Sequence, residues 1–72
     1  MYILFTSPTC PNCIKLKDKL KSKNIEYQEL NTATAEGLGE FHYYGFRLSV
    51  PMLIEKNDKI TKDVTDELLW KN

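Results

Sequence analysis

The sequence has 72 residues, the size of one small domain, and its ten basic and ten acidic side chains cancel. This balance does not indicate nucleic-acid binding, and no apolar run approaches the roughly 20 residues that a membrane span needs. The short apolar N-terminus lacks the basic leader and cleavage site of a signal peptide. We therefore expect residues 1–72 to form one domain of a soluble, cytoplasmic, monomeric protein.

The first third of the chain predicts a strand, a helix and a second strand. Residues 2–6 are apolar and β-prone, as in a buried strand. Pro11 belongs in the first turn of a helix, where its missing N–H costs nothing. We expect this helix to run from about Pro11 to Lys23, with Asn24 as its stop, and residues 25–30 to form the second strand. The inward face of this first helix consists of Cys13, Leu16 and Leu20, which follow the helical spacing, and Ile14 is expected to broaden it.

The middle of the chain predicts a second helix. Residues 31–34 offer side chains that cap helices, and the helix is expected over about Ala35 to Tyr44 with Leu38 and Phe41 facing inward. Gly45 ends it. Two glycines inside this segment, Gly37 and Gly39, are expected to weaken the helix by roughly 1 kcal/mol each.

The last third predicts a hairpin and a short helix. Residues 50–54 read as a third strand with a proline near its start, and Asn57-Asp58 forms a turn to an antiparallel fourth strand over residues 59–62. Asp63 or Thr65 can cap a helix over residues 64–71. That helix is expected to bury some of its apolar side chains, namely Val64, Leu68, Leu69 and Trp70.

Cys10 and Cys13 stand two residues apart where the first strand passes into the first helix. Disulfide exchange needs a thiolate, whereas an ordinary cysteine titrates near 8.5. A helix N-terminus favours an anion at Cys10, and the lysine-rich helix that follows adds positive potential. Cys13 lies one turn inside and is more buried. The pattern predicts that Cys10 is the nucleophile and that Cys13 resolves the mixed disulfide.

Other uses of a C-x-x-C pair are less favoured. A zinc site needs further ligands, and the chain offers one histidine, His42, and no other cysteine. A structural disulfide across so short a loop removes little chain entropy. A [2Fe–2S] cluster shared between two chains stays an alternative. Because strand, loop, C-P-x-C and helix occur in the order typical of a redox motif, we expect thiol–disulfide exchange with no bound metal or cofactor.

Residues 8–13 read Pro-Thr-Cys-Pro-Asn-Cys, a run similar to the glutaredoxin motif P-T-C-P-Y-C, and nearly the whole chain resembles the thioredoxin superfamily. The resemblance implies an α/β thioredoxin fold of glutaredoxin size, β-α-β-α-β-β-α, in which a four-stranded mixed sheet carries helices on both faces. It also implies a cis bond between Val50 and Pro51, where the backbone pairs with the substrate. The implied substrate-binding residues are Thr9, Pro11, Asn12, Val50 and Pro51.

The resemblance further implies a protein-disulfide reductase, acting on protein or glutathione mixed disulfides and recharged by glutathione or by a flavoprotein thioredoxin-type reductase. Ser7 and the run Asp63-Val64-Thr65-Asp66 replace the residues that contact glutathione in glutaredoxins, which disfavours tight glutathione binding. Alternatives are a dedicated electron donor to ribonucleotide reductase and an iron–sulfur or metal-binding redoxin. Arg47, shortly before the proline, is expected to pair with an acidic partner or with Glu40.

Overall fold

The computed structural model describes residues 1–69. Its elements are β1 (Tyr2–Thr6), α1 (Pro11–Ser22), β2 (Gln28–Asn31), α2 (Ala35–Tyr44), β3 (Met52–Lys56), β4 (Thr61–Asp63) and α3 (Thr65–Leu69). This order confirms the predicted succession β-α-β-α-β-β-α. The predicted burial of Trp70 and the end of the last helix at Lys71 lie outside the described residues.

The four strands form one mixed sheet in the order β2-β1-β3-β4. Strand β1 runs parallel to β2, with Ile3 opposite Gln28. Strand β3 runs antiparallel to both β1 and β4. The long connection from β1 to β2 contains α1, as a parallel pair requires, and the short turn after β3 makes the predicted hairpin.

The sheet has a packed core on each face because successive side chains of a strand point to opposite sides. Helices α1 and α3 cover an aliphatic core made of Leu4, Leu16, Leu20, Leu53, Val64 and Leu69. Helix α2 supplies Phe41 to the core on the other face, which also contains Ile3, Phe5, Met52 and Ile54. There the ring of Phe41 packs edge-on against that of Phe5, with centroids 5.7 Å apart. Helices on both faces confirm the predicted architecture.

Helix α2 begins and ends where the sequence predicts. The Thr34 hydroxyl accepts a hydrogen bond from the Gly37 amide, and Gly45 adopts the left-handed conformation that ends the helix. A Cβ atom added to Gly37 would lie 2.0 Å from the Asn31 carbonyl oxygen. Gly37 therefore allows α2 to approach the end of β2 closely. The sequence predicted only that this glycine weakens the helix, and not that it makes this close contact possible.

Three strands begin and end later than predicted. Strand β2 begins at Gln28 because its pairing with β1 starts at Ile3, so residues 25–27 form no ladder with β1. Strand β3 begins at Met52, the partner of Phe5, and not at residue 50. Strand β4 begins at Thr61, because the amides of residues 59 and 60 donate to the Asn57 side chain and belong to the turn.

Two side chains predicted to face inward are exposed. Ile14 is 64% exposed and Leu38 is 44% exposed. Each follows a buried residue, Cys13 in α1 and Gly37 in α2. One residue rotates an α-helix by about 100°, so packing through Cys13 and Gly37 turns the next side chain away. Within residues 1–69, no helix has the length and apolar character needed to cross a membrane.

Candidate active site at the start of helix α1

The sulfur of Cys10 caps helix α1. Cys10 has an extended backbone, Pro11 is the first helical residue, and the Cys13 amide donates a hydrogen bond of 3.1 Å to the Cys10 Sγ. The usual acceptor at this position is an oxygen of Ser, Thr, Asn or Asp. Here a sulfur takes that place, and it lies at the positive end of the helix dipole. The position favours a negative charge on Cys10.

Cys10 and Cys13 form a disulfide, with their Cα atoms 5.2 Å apart. Cys10 is 9% exposed and Cys13 is 2% exposed. The two residues therefore differ in access: Cys10 is the more exposed, and Cys13 is almost fully buried.

The segment Val50–Pro51 reaches the same edge of the sheet as the cysteines. Phe5 pairs with Met52 in antiparallel strands, which places Pro51 beside Thr6, where β1 ends and the cysteine loop begins. The Val50–Pro51 peptide bond is cis. Pro51 is buried and Val50 is half-buried.

The remaining predicted substrate-binding residues surround Cys10. Thr9 precedes it, Pro11 and Asn12 follow it, and all three are exposed. They are therefore open to a molecule that approaches the Cys10 sulfur, and their part in binding stays a prediction.

A cavity of about 250 Å³ opens beside the disulfide. Its wall includes both cysteines and two charged side chains, Lys17 and Glu29. The Lys17 Nζ lies 2.7 Å from the Glu29 Oε2, and the Thr6 hydroxyl donates to the same oxygen at 2.9 Å. Neither Lys17 nor Glu29 belongs to the predicted site. The available signal is the spacing of Lys17, four residues after Cys13, which places both on one side of α1.

The ion pair shifts both titrating groups toward their charged forms. The hydrogen bond with Glu29 raises the pKa of Lys17, against the smaller opposing effect of burial. Burial by itself raises the pKa of Glu29, but hydrogen bonds from Lys17 and Thr6 outweigh it, so that this pKa lies below its ordinary value. Both groups are thus charged at neutral pH.

A second ionic group holds the loop before Pro51. The Arg47 Nε lies 2.7 Å from the Asp63 Oδ2, and its Nη2 lies 2.9 Å from the Asp66 Oδ2. Arg47 thus pairs with these residues and not with Glu40. Burial raises the pKa of Asp63, but hydrogen bonds from Thr65 and Arg47 lower it overall.

Asp63 and Thr65 extend this ionic group into the sheet. The Asp63 Oδ1 accepts from the Thr65 amide at 2.8 Å, as in the predicted cap. The Thr65 hydroxyl oxygen accepts from the Leu53 amide at 2.7 Å. The loop before Pro51 is therefore fastened both to the start of α3 and to β3. Across residues 1–69, no three His, Cys, Asp or Glu side chains come together as a metal-binding group.

Comparison with known proteins agrees with this geometry. A family model described as Glutaredoxin matches residues 2–60. The chain belongs to the glutaredoxin family. A glutaredoxin-like 8.6 kDa protein in the rubredoxin operon of Clostridium pasteurianum, itself uncharacterized, is 48% identical over 33 residues, or 46% of this chain and 44% of that protein. The match therefore spans less than half of that relative.

Solved structures show the same fold. Glutaredoxin from Brucella melitensis superposes with a TM-score of 0.63 and 29% identity, over 93% of this chain and 72% of that one. The thioredoxin-like protein BC3987 superposes with a TM-score of 0.70 and 27% identity, over 76% of this chain and 77% of that one. The predicted thioredoxin-like α/β fold is confirmed. In a glutaredoxin family member, the Cys10–Cys13 pair indicates a thiol redox function.

Proposed function

We propose that this protein is a thiol–disulfide oxidoreductase that reduces disulfides of other proteins. The observation that carries the proposal is the placement of two bonded cysteines at the start of α1, where the sulfur of the more exposed residue, Cys10, occupies the helix cap. A helix N-terminus lowers the energy of a thiolate, which is the nucleophile of disulfide exchange. Family membership supports the same chemistry.

The reaction has two exchange steps. The Cys10 thiolate attacks one sulfur of the substrate disulfide, forms a mixed disulfide and releases the other sulfur as a thiolate, which takes a proton from water. Cys13 then loses its proton and attacks the Cys10 sulfur. The Cys10–Cys13 disulfide forms, the mixed disulfide breaks, and the second substrate sulfur leaves as a thiol. Two electrons pass from this chain to the substrate, and no bound cofactor takes part.

The substrate is proposed to lie between the cysteines and the proline loop. Exposed Thr9, Pro11 and Asn12 frame the attacking sulfur, and the backbone of Val50, next to Pro51 at the same sheet edge, is the proposed partner for an extended substrate segment. Such main-chain pairing accepts different substrate sequences.

Two classes of reductant can restore the dithiol: glutathione, or a flavoprotein thioredoxin-type reductase. We propose that the protein acts as a monomer in the cytoplasm, which keeps both systems reduced.

The first experiment is the redox equilibrium of the Cys10–Cys13 couple in glutathione buffers, read by thiol alkylation and mass spectrometry. A midpoint of about −200 to −230 mV lies in the glutaredoxin range and supports glutathione as reductant. A midpoint of about −270 mV is thioredoxin-like and supports a dedicated reductase. A couple that does not exchange with glutathione or with a dithiol overturns the proposed function.

A coupled assay identifies the reductant. The protein is incubated with a disulfide-containing protein and either glutathione with glutathione reductase and NADPH, or a flavoprotein thioredoxin reductase with NADPH. NADPH oxidation that requires this chain identifies the working donor. The Cys10→Ser variant is the control, because it keeps a helix-capping side chain but has no attacking sulfur.

A further inference from the structure

Reduction of the disulfide places a negative charge in a poorly hydrated site. When a donor dithiol reduces the Cys10–Cys13 bond, the donor becomes a disulfide and this chain receives two electrons. One thiol and one thiolate then remain on this chain, and one proton leaves. The two cysteines are only 9% and 2% exposed, and a buried charge without a partner is costly. The helix dipole supplies the equivalent of only about half a charge.

Lys17 is a full positive charge beside this site. It lies four residues after Cys13, so the two side chains are neighbours on the helix surface. Side chains of an α-helix lean toward its N-terminus, and the cysteines lie at that end of α1. Lys17 also lines the same cavity as both cysteines. Of the residues in that cavity wall, only Lys17 and Glu29 have charged side chains.

Glu29, which lies in the sheet, contacts the Lys17 ammonium. Its carboxylate contacts the Lys17 Nζ at 2.7 Å and is itself held by the Thr6 hydroxyl at 2.9 Å. Thr6 ends β1 and Glu29 lies in the paired strand β2, so the carboxylate is attached to the rigid sheet. Arg47 is ion-paired with Asp63 and Asp66, and none of these three residues lines this cavity.

We propose that Lys17 is the cation that stabilises the cysteine thiolate after reduction, and that the Glu29 carboxylate, 2.7 Å from the Lys17 Nζ, offsets part of that positive charge. The proposal rests on the proposed function, because it concerns the reduced state of the same cysteines. The two members of the ion pair therefore have opposite effects on the stability of the thiolate. Removal of Lys17 destabilises the thiolate, and removal of the Glu29 charge stabilises it.

The test is the pH titration of thiolate absorbance at 240 nm in the reduced protein. An opposite charge within a few ångströms lowers an acid's pKa by roughly 1–3 units, and the partial exposure of this pair reduces the effect. We expect Lys17→Met to raise the pKa of the more acidic thiol by about half a unit to one unit, and Glu29→Gln to lower it by about half a unit. Lys17→Arg keeps the charge and should titrate like the unchanged protein.

Lys21→Met is the matched control. It removes the same charge from an exposed position of the same helix, eight residues or about 12 Å beyond Cys13. Salt screens charges at that distance, so we expect a shift of no more than about 0.2 units. Urea unfolding checks that each variant is folded, which we expect because the Lys17 and Glu29 side chains are 36% and 39% exposed and such pairs contribute little to stability.

A purely structural ion pair predicts a different result. Lys17→Met and Glu29→Gln both break the same salt bridge, so a structural role would move the thiol pKa in one direction for both variants, or not at all. Either outcome overturns the proposal. The titration uses no substrate, so its result is separate from the proposed function: absence of disulfide reduction by the unchanged protein would refute that function and leave this measurement readable.

Discussion

The two faces of the sheet differ in amino-acid composition and in what they contribute to the protein. The face under α1 and α3 is filled by leucine and valine side chains, and α1 begins at the bonded cysteines. The face under α2 is filled by phenylalanine, isoleucine and methionine, and its helix approaches the sheet through a glycine. Reactive atoms are thus concentrated at one end of one face, while the other face supplies packing. Changes on the two faces should therefore have separable effects.

The largest expected effect is the loss of activity in Cys10→Ser. Removal of the attacking sulfur should abolish reduction of protein disulfides. The folding stability of the reduced protein should change by no more than about 1 kcal/mol, because serine is also a good helix cap. The measurements are turnover of a disulfide-containing protein and urea unfolding of both proteins in reducing buffer. Residual turnover in Cys10→Ser would refute the nucleophile assignment.

Cys13→Ser should separate attack from resolution on the same face. Cys10 can still attack, but no second sulfur of this chain can release the product, so a mixed disulfide with the substrate should accumulate. Mass spectrometry after incubation with a disulfide-containing protein should detect that adduct on Cys10. If Cys13→Ser reduces protein disulfides at the rate of the unchanged protein, then Cys13 is not the resolving residue.

Gly37→Ala, on the face under α2, should lower the stability of the fold. The added Cβ would lie 2.0 Å from the Asn31 carbonyl oxygen, so α2 must shift, at a cost of about 1–3 kcal/mol in the free energy of unfolding. Gly39→Ala is the matched control: its Cβ meets no atom within 4 Å, and replacing a glycine inside a helix should stabilise by about 0.5–1 kcal/mol. Urea unfolding measures both. Equal effects of the two substitutions would contradict the close contact.

The smallest expected effect concerns pH and the ionic group at α3. The pKa of Asp63 in the folded protein lies below its ordinary value of 3.8. The folded state therefore binds a proton less readily than the unfolded state. The resulting stabilisation is fully present above the unfolded pKa and is lost as the pH falls through the lowered folded value. For a partly exposed pair it amounts to about 1 kcal/mol or less.

Urea unfolding at pH 5 and pH 3 measures this contribution. Asp63→Asn should reduce the loss of stability between the two pH values, since asparagine keeps a helix-capping oxygen but does not titrate. Asp58→Asn, in the exposed turn after β3, is the matched control and should leave the difference unchanged. An identical pH dependence in Asp63→Asn and the unchanged protein would show that the hydrogen bonds from Thr65 and Arg47 do not lower the Asp63 pKa in the folded protein.

Local chemical signals account for the elements that the sequence predicts well. Pro11 marks the start of α1, Thr34 caps α2, and Gly45 ends it. Each acts through its own backbone geometry or through a hydrogen bond to a residue a few positions away. The same is true of Cys10 and Cys13, whose spacing within one helical turn brings them together whatever the rest of the fold does.

Features that depend on strand register or on contacts between distant parts of the chain cannot be predicted from such local signals. The Lys17–Glu29 pair needs the parallel alignment of β1 and β2, and the contact of Arg47 with Asp63 depends on where the β3–β4 pairing places Asp63. The contact of Gly37 with Asn31 depends on how closely α2 packs. Ile14 likewise points outward because Cys13, the residue before it, is the one that is buried. Helical spacing alone therefore predicted too wide an apolar face for α1.

The cap of α1 has a consequence for observing the protein at work. The Cys13 amide donates its hydrogen bond to the Cys10 sulfur, the atom proposed to attack, to carry the substrate and to be released. Each of these states presents a different electron density to that N–H. The Cys13 amide resonance is therefore a built-in spectroscopic label, able to follow the sulfur through its cycle without a probe attached to either partner.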